Sequence, residues 1–319
     1  MFWRTIHEDE LEECLSIHPL SVGHEAVGWD RALAAWRKML QKRSCKCIAV
    51  VSEEPIQGHR IMAFGATVFV AKAFADAEIA DPRPGLNSRI IASIDSGMPV
   101  ALSDAQLRRD NTYGGLDMVG LYTAWRQGVM TPKQITDILL VIAAASREIH
   151  AGYRLRRSLM EATDLTMVEY ARTWVTFRRV STFEEYYAKN PGTWGRERAL
   201  YVMDSADALT TAGTHAAYVF HYREPILQLR DADQQLLEVA LRGSTDEETC
   251  QVLGMKLSAI KKRWAALFHH IAKIKPELLP GTDDGDRQTR GPQKRHRLLA
   301  YLREHPEELR PVVRSRRPQ

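Results

Sequence analysis

The chain has no run of about eighteen apolar residues, the length at which a helix can cross a bilayer, so neither a membrane span nor a membrane partner is expected. Its opening, MFWRTIHEDELEE, is acidic and has no basic segment followed by an apolar one. No secretory leader is expected, and a cytoplasmic location is the expectation. Cysteine is scarce, with four in 319 residues. Cys45-Lys46-Cys47 misses the Cys-x-x-Cys spacing of a zinc half-site, so buried or idle thiols are expected. His215, His221 and the pair His269-His270 have no Cys or carboxylate at ligand spacing. Neither a Gly-x-Ser-x-Gly elbow nor a Gly-x-Gly-x-x-Gly loop occurs, which removes the common hydrolase and dinucleotide signatures. Glu161, Asp164 and Glu169 are carboxylates near a strand end, where solvation is the ordinary state. The sequence therefore assigns no catalytic residue, no cofactor and no metal.

Net charge is also small: 44 Lys+Arg against 40 Asp+Glu, or +4. Its distribution is uneven. Residues 1–225 carry 26 basic and 27 acidic side chains, and residues 226–319 carry 18 and 13. The balance is −1 against +5. From Thr249 to Pro276 there are six basic residues and no acidic one. Such a run is an electrostatic footprint for a polyanion.

The same stretch has a helical pattern. Leu236, Leu237, Ala240 and Leu241 recur at helical spacing, and Gly243 stops the run. Thr245-Asp246-Glu247-Glu248 is a capping box. The short helix it opens reaches Leu253, and Gly254 supplies a tight turn. Beyond the turn, Ile260, Trp264, Leu267 and Ile271 form one stripe to be buried, with Ser258, Lys261, Lys262 and Ala265 opposite. Two short helices about a glycine turn, the second basic on its free face, suit the DNA major groove.

At this level residues 229–274 resemble the LuxR-type helix-turn-helix, through Leu229, Gly243, Thr245, Glu248, Cys250 (usually Ala), Leu253, Gly254, Met255 (usually Ile), Ala259 (usually Thr), Ile260, Lys261, Leu267 and Ile271. Lys256 stands where the family prefers a Ser N-cap, Arg263 where it often has His, and Trp264 where it has an aliphatic residue. The resemblance implies DNA contacts by Lys256, Ser258, Ala259, Lys261 and Lys262. It also implies a bacterial transcription regulator with double-stranded DNA, RNA polymerase and a second copy of the chain as partners. The family's last helix does not follow directly. A polar linker over 277–293 comes first, then a helix beginning near Lys294 with Leu298, Leu299 and Leu302 on one face, and a basic tail expected to be disordered.

Residues 1–225 read as a mixed α/β domain. Strands are expected over Cys47–Val51, Ile61–Val70, Arg89–Ile94, Leu116–Tyr122, Tyr153–Glu161, Val175–Val180 and Ala199–Met203, with Ser52–Arg60 as a hairpin loop. Helices are expected over Ala26–Leu40 and Thr166–Trp174, and another opened by the Thr131–Gln134 box. That last helix is apolar nearly all round from Ile138 to Ala145, so burial on every side is expected. This order resembles a GNAT-type acyltransferase, as does EYARTWVTFRRV for the family's late helix-to-strand passage. The family's Arg/Gln-x-x-Gly-x-Gly/Ala loop, which cradles the coenzyme A diphosphate, keeps a single glycine here, Gly128.

The sequence thus leads to an α/β GNAT-like domain over 1–225, sensing a small molecule or mediating assembly. A helix-turn-helix domain over 226–276, a linker and a final helix with tail over 294–319 complete the chain. The expected function is a DNA-binding transcription regulator. The alternative is an N-acyltransferase using acetyl coenzyme A with an appended DNA-binding module.

Overall fold

The computed structural model describes residues 1–18, 23–162, 178–190, 199–279 and 291–314. The expected helix over Thr166–Trp174, the carboxylates Asp164 and Glu169, and most of EYARTWVTFRRV lie outside the described residues. The chain divides into two compact units, Met1–His150 with Arg154–His221, and Ala151–Tyr153 with Tyr222–Gln319.

The first unit is built on one mixed sheet. Its strands are β1 (Phe2–Thr5), β2 (Cys45–Ile56), β3 (His59–Val70), β4 (Leu116–Trp125), β5 (Leu155–Ala162), β6 (Arg178–Ser181) and β7 (Ala199–Asp204), in the spatial order β1-β2-β3-β4-β5-β7-β6. Every neighbouring pair is antiparallel except β4 and β5, which are parallel. A parallel pair needs a long crossover. One intervenes between them as a helix over Pro132–His150.

Helices cover both faces. α1 (Leu11–Ser16), α2 (Trp29–Leu40), α3 (Lys72–Ala80) and α4 (Leu86–Asp95) precede the short α5 (Asp104–Arg109), and α6 is the crossover helix Pro132–His150. Leu15, Trp36, Met39, Ile90 and Ile91 join Phe64, Val68, Val119 and Leu121 in one core. Ile138 and Ile142 of α6 join Met62, Trp125, Met160 and Tyr201 in another. With both faces covered, β4 is buried at every position except Gly120 and Thr123.

Three expectations are corrected. Arg89–Ile94 belongs to α4, not to a strand. Gly85, at φ +87°, opens that helix, and Leu86, Ile90, Ile91 and Ile94 line one buried stripe. A β-branched run accepted the helix because its stripe had a core to enter. The Ser52–Arg60 loop is shorter than expected: the strands continue to Ile56 and from His59, and only Gln57 (φ 48°) and Gly58 (φ 83°) turn the chain. Two positive φ values in a two-residue loop match the twist of the flanking strands. Finally, α6 is not buried all round. Ile138, Ile142, Ala145 and His150 are buried, whereas Leu140 is 51 % exposed. A helix lying on a sheet needs one apolar stripe only.

After β6 come α7 (Glu184–Lys189), β7, α8 (Ser205–Thr210) and α9 (His215–Phe220). The second unit is helical: α10 (Asp231–Leu241), α11 (Asp246–Leu253), α12 (Leu257–Ile274) and α13 (Gly291–Glu304). Thr245 and Glu248 form the reciprocal cap of α11, at 3.2 Å and 2.8 Å. Gly254 then turns at φ +61°. Ile260, Trp264, Leu267 and Ile271 are all buried. α13 enters the same core through Leu298 and Leu302. Its Arg295 donates to Asp246 at 2.8 Å and lies 4.9 Å from the Trp264 ring centre. Arg310, ahead of the expected tail, and Val312, at its start, are buried, and residues 315–319 lie outside the described residues.

Candidate functional site

β4 and β5 pair from Leu116–Leu155 as far as Gly120–Met160 and then separate, although β4 runs on to Trp125. On the other side of β4 the register is irregular at the same point. Ala66 of β3 pairs with Tyr122 and Thr67 with Gly120, so Leu121 is an extra residue, a bulge. The Leu121 carbonyl accepts from the Asn87 side-chain amide of α4. Beyond the split, Glu161 is buried and accepts from Gly85 N–H (2.9 Å) and Leu86 N–H (2.6 Å). This carboxylate, expected to be solvated, is a helix cap for α4. Before the split the strands are clamped by Asp117, which is buried and accepts from Arg156 (2.9 Å) and Arg157 (3.0 and 2.9 Å).

A cavity of about 80 Å³ lies against the last paired positions of the two strands, Met118–Ser158 to Gly120–Met160, and reaches Thr123 just beyond them. Gly120 and Thr123 of β4, Ser158 and Met160 of β5, Thr67 of β3, Ser146 of α6 and His215 of α9 line it, among others. The two half-buried positions of β4 are therefore both cavity positions. Behind Thr67 lies His150, the last residue of α6, which is 1 % exposed. Thr67 Oγ1 is 2.7 Å from His150 Nε2, and His150 Nδ1 is 2.8 Å from the Ser146 carbonyl oxygen. His215 is held below the ordinary histidine value, first by burial and then by the charge of Arg147. Sequence reasoning passed over Thr67 and His150. They are 83 positions apart, and the one local sign was a hydroxyl inside an apolar strand.

The start of α6 is occupied by its own chain. Thr131 N–H donates to Gln134 Oε1 at 2.9 Å and Gln134 N–H to Thr131 Oγ1 at 3.3 Å. Arg126, just upstream, donates to the Ile61 carbonyl at 2.9 Å.

In the second unit, Lys256, Ser258, Lys261 and Lys262 are exposed on α12, and Ala259 is half-buried. Lys256 is the N-cap of α12 and makes no side-chain cap. Among the described residues no carboxylate lies within ion-pair distance of Lys256, Lys261 or Lys262. Arg263 turns inward instead, 3.2 Å from Met255 Sδ. His270 meets the Leu227 carbonyl at 2.9 Å. Cys14, Cys45 and Cys47 are buried, Cys250 is half-buried, and all four are free thiols. Among the described residues no cluster of three metal-ligating side chains occurs, and no helix is long and apolar enough to cross a membrane.

No protein-family model and no curated protein matches the chain. Solved structures that align with it include two acyl-transferring proteins. One is FeeM, an N-acyl amino acid synthase from uncultured soil microbes, at 10 % identity and TM-score 0.35, over 63 % of this chain and 89 % of that one. The other is aminoglycoside 6'-acetyltransferase type Ii, at 9 % identity and TM-score 0.34, over 64 % and 97 %.

Proposed function

We propose that the α/β unit is an N-acyltransferase that takes its acyl group from a thioester. The observation that supports this reading is the parting of β4 and β5 beside a cavity. Past Gly120 β4 has no β5 partner in register, and an extended, amide-bearing arm can pair along it as an added strand. The cavity beside them takes the acyl group. A donor diphosphate has a poor seat, because Thr131 and Gln134 consume each other's N–H groups at the start of α6 and Pro132 has none. The donor is therefore gripped by its thioester arm rather than by a nucleotide. Full-length protein, an amine acceptor and either acetyl coenzyme A or S-acetyl-N-acetylcysteamine provide the test, with thiol release as the readout. Comparable release from both donors is expected. No enzyme-dependent release from any thioester would sink the reading.

The helical unit has a reading of its own, supported by the lysines of α12 that face no carboxylate. It binds double-stranded DNA, with Lys256, Ser258, Ala259, Lys261 and Lys262 toward the groove. Two-fold sites would then call for a second copy of the chain. Replacing Lys261 and Lys262 together by Ala should lower the log–log salt slope of DNA binding by about 0.9 for each phosphate no longer neutralised. An unchanged slope in filter binding would remove those two residues from the interface.

A further inference from the structure

We infer that Thr67 is a nucleophile in the acyl-transfer site, with His150 as its general base, so that transfer runs through an ester on the protein. The inference rests on the acyltransferase reading and adds a covalent step to it.

The protonation pattern follows from the partners. His150 Nδ1 faces the Ser146 carbonyl at 2.8 Å, and a carbonyl only accepts, so in the neutral ring the hydrogen is on Nδ1. The Ser146 hydroxyl, at 3.3 Å from the same nitrogen, shares it. Nε2 is then an acceptor, and Thr67 Oγ1, at 2.7 Å, donates to it. A hydroxyl aimed at the free nitrogen of a histidine whose other nitrogen is fixed by an acceptor is an activated nucleophile. The base is buried, while Thr67 lines the cavity beside the strand split.

The step balances. Thr67 Oγ1 attacks the thioester carbonyl carbon as its proton passes to His150 Nε2. Collapse of the adduct breaks the C–S bond, and the leaving thiolate takes the proton from Nε2. An ester remains on Thr67. An amine then attacks that ester and gives a proton to Nε2, and Thr67 Oγ1 recovers it on leaving. The products are an amide and a thiol.

The experiment incubates the full chain with S-acetyl-N-acetylcysteamine without an acceptor, quenches in acid and weighs the protein. One added acetyl group is expected, mapped by peptide mass to Thr67. Thr67→Val keeps the β-branched shape without the hydroxyl and should carry no label. Thr67→Ser should restore it. His150→Gln should slow labelling by about 100-fold or more, the usual contribution of a general base. Circular dichroism and melting temperature check that each variant folds. Amide formation with no adduct, or undiminished turnover in Thr67→Val, overturns the covalent step and leaves acyl transfer standing. If neither adduct nor amide forms with any thioester, both readings fall.

Discussion

Among single residues, His215 carries a pH signature. Burial, and after it the charge of Arg147, lowers its pKa below the ordinary histidine value. As pH falls, the unfolded chain takes up a proton that the folded chain resists. The contribution is therefore complete above the unfolded value and lost as pH drops through the folded one. Melting temperature should fall from about pH 7 downwards, and His215→Gln, which never charges, should flatten that fall. Equal pH dependence in both proteins would show that His215 does not supply it. The residue was visible in the sequence as a histidine without a ligand-spaced neighbour. Its place in a cavity depended on α9 reaching α6 and β5, which no local pattern encodes.

Elements were legible where their ends carry chemistry of their own. The α11 box Thr245–Glu248, the α6 box Thr131–Gln134 and the turns at Gly243 and Gly254 all stand where the spacing placed them. Caps satisfy N–H groups of their own helix, so the signal is local. Thr245→Ala should accordingly cost about 1 kcal/mol in denaturant unfolding. A cost near zero would mean that tertiary packing, through Arg295 on Asp246, already holds that helix start. α4 shows the reverse case. Its cap is Glu161, 75 positions from Leu86, and without that partner its β-branched stretch reads as a strand.

At the scale of the whole molecule, charge and chemistry separate. With the boundary at Tyr222, Arg223 and Glu224 join the basic side, and the balance stays at −1 against +5. The cavity is lined by hydroxyl, glycine and apolar residues, with His215 the one titratable group among its lining residues. Raising salt from about 50 to 200 mM should release DNA from the full-length protein steeply. Thiol release from a neutral thioester should hardly change over the same range. A parallel loss of both activities would tie them to one charged surface.

Sequence alone determined the helical unit: period, caps, glycine turns and the acid-free basic run are all near-neighbour properties, and α10 to α12 follow from them. It also determined most strands of the α/β unit and its crossover helix, but not the helix over Leu86–Asp95. Only the tertiary structure decided where β4 and β5 part: their pairing ends at Gly120–Met160, beside a bulge at Leu121 set by register with β3 and a carbonyl claimed by Asn87. It alone brought Thr67 to His150. Hydrogen bonds between residues 83 positions apart are fixed by the fold that closes the loop between them, and no local spacing records them.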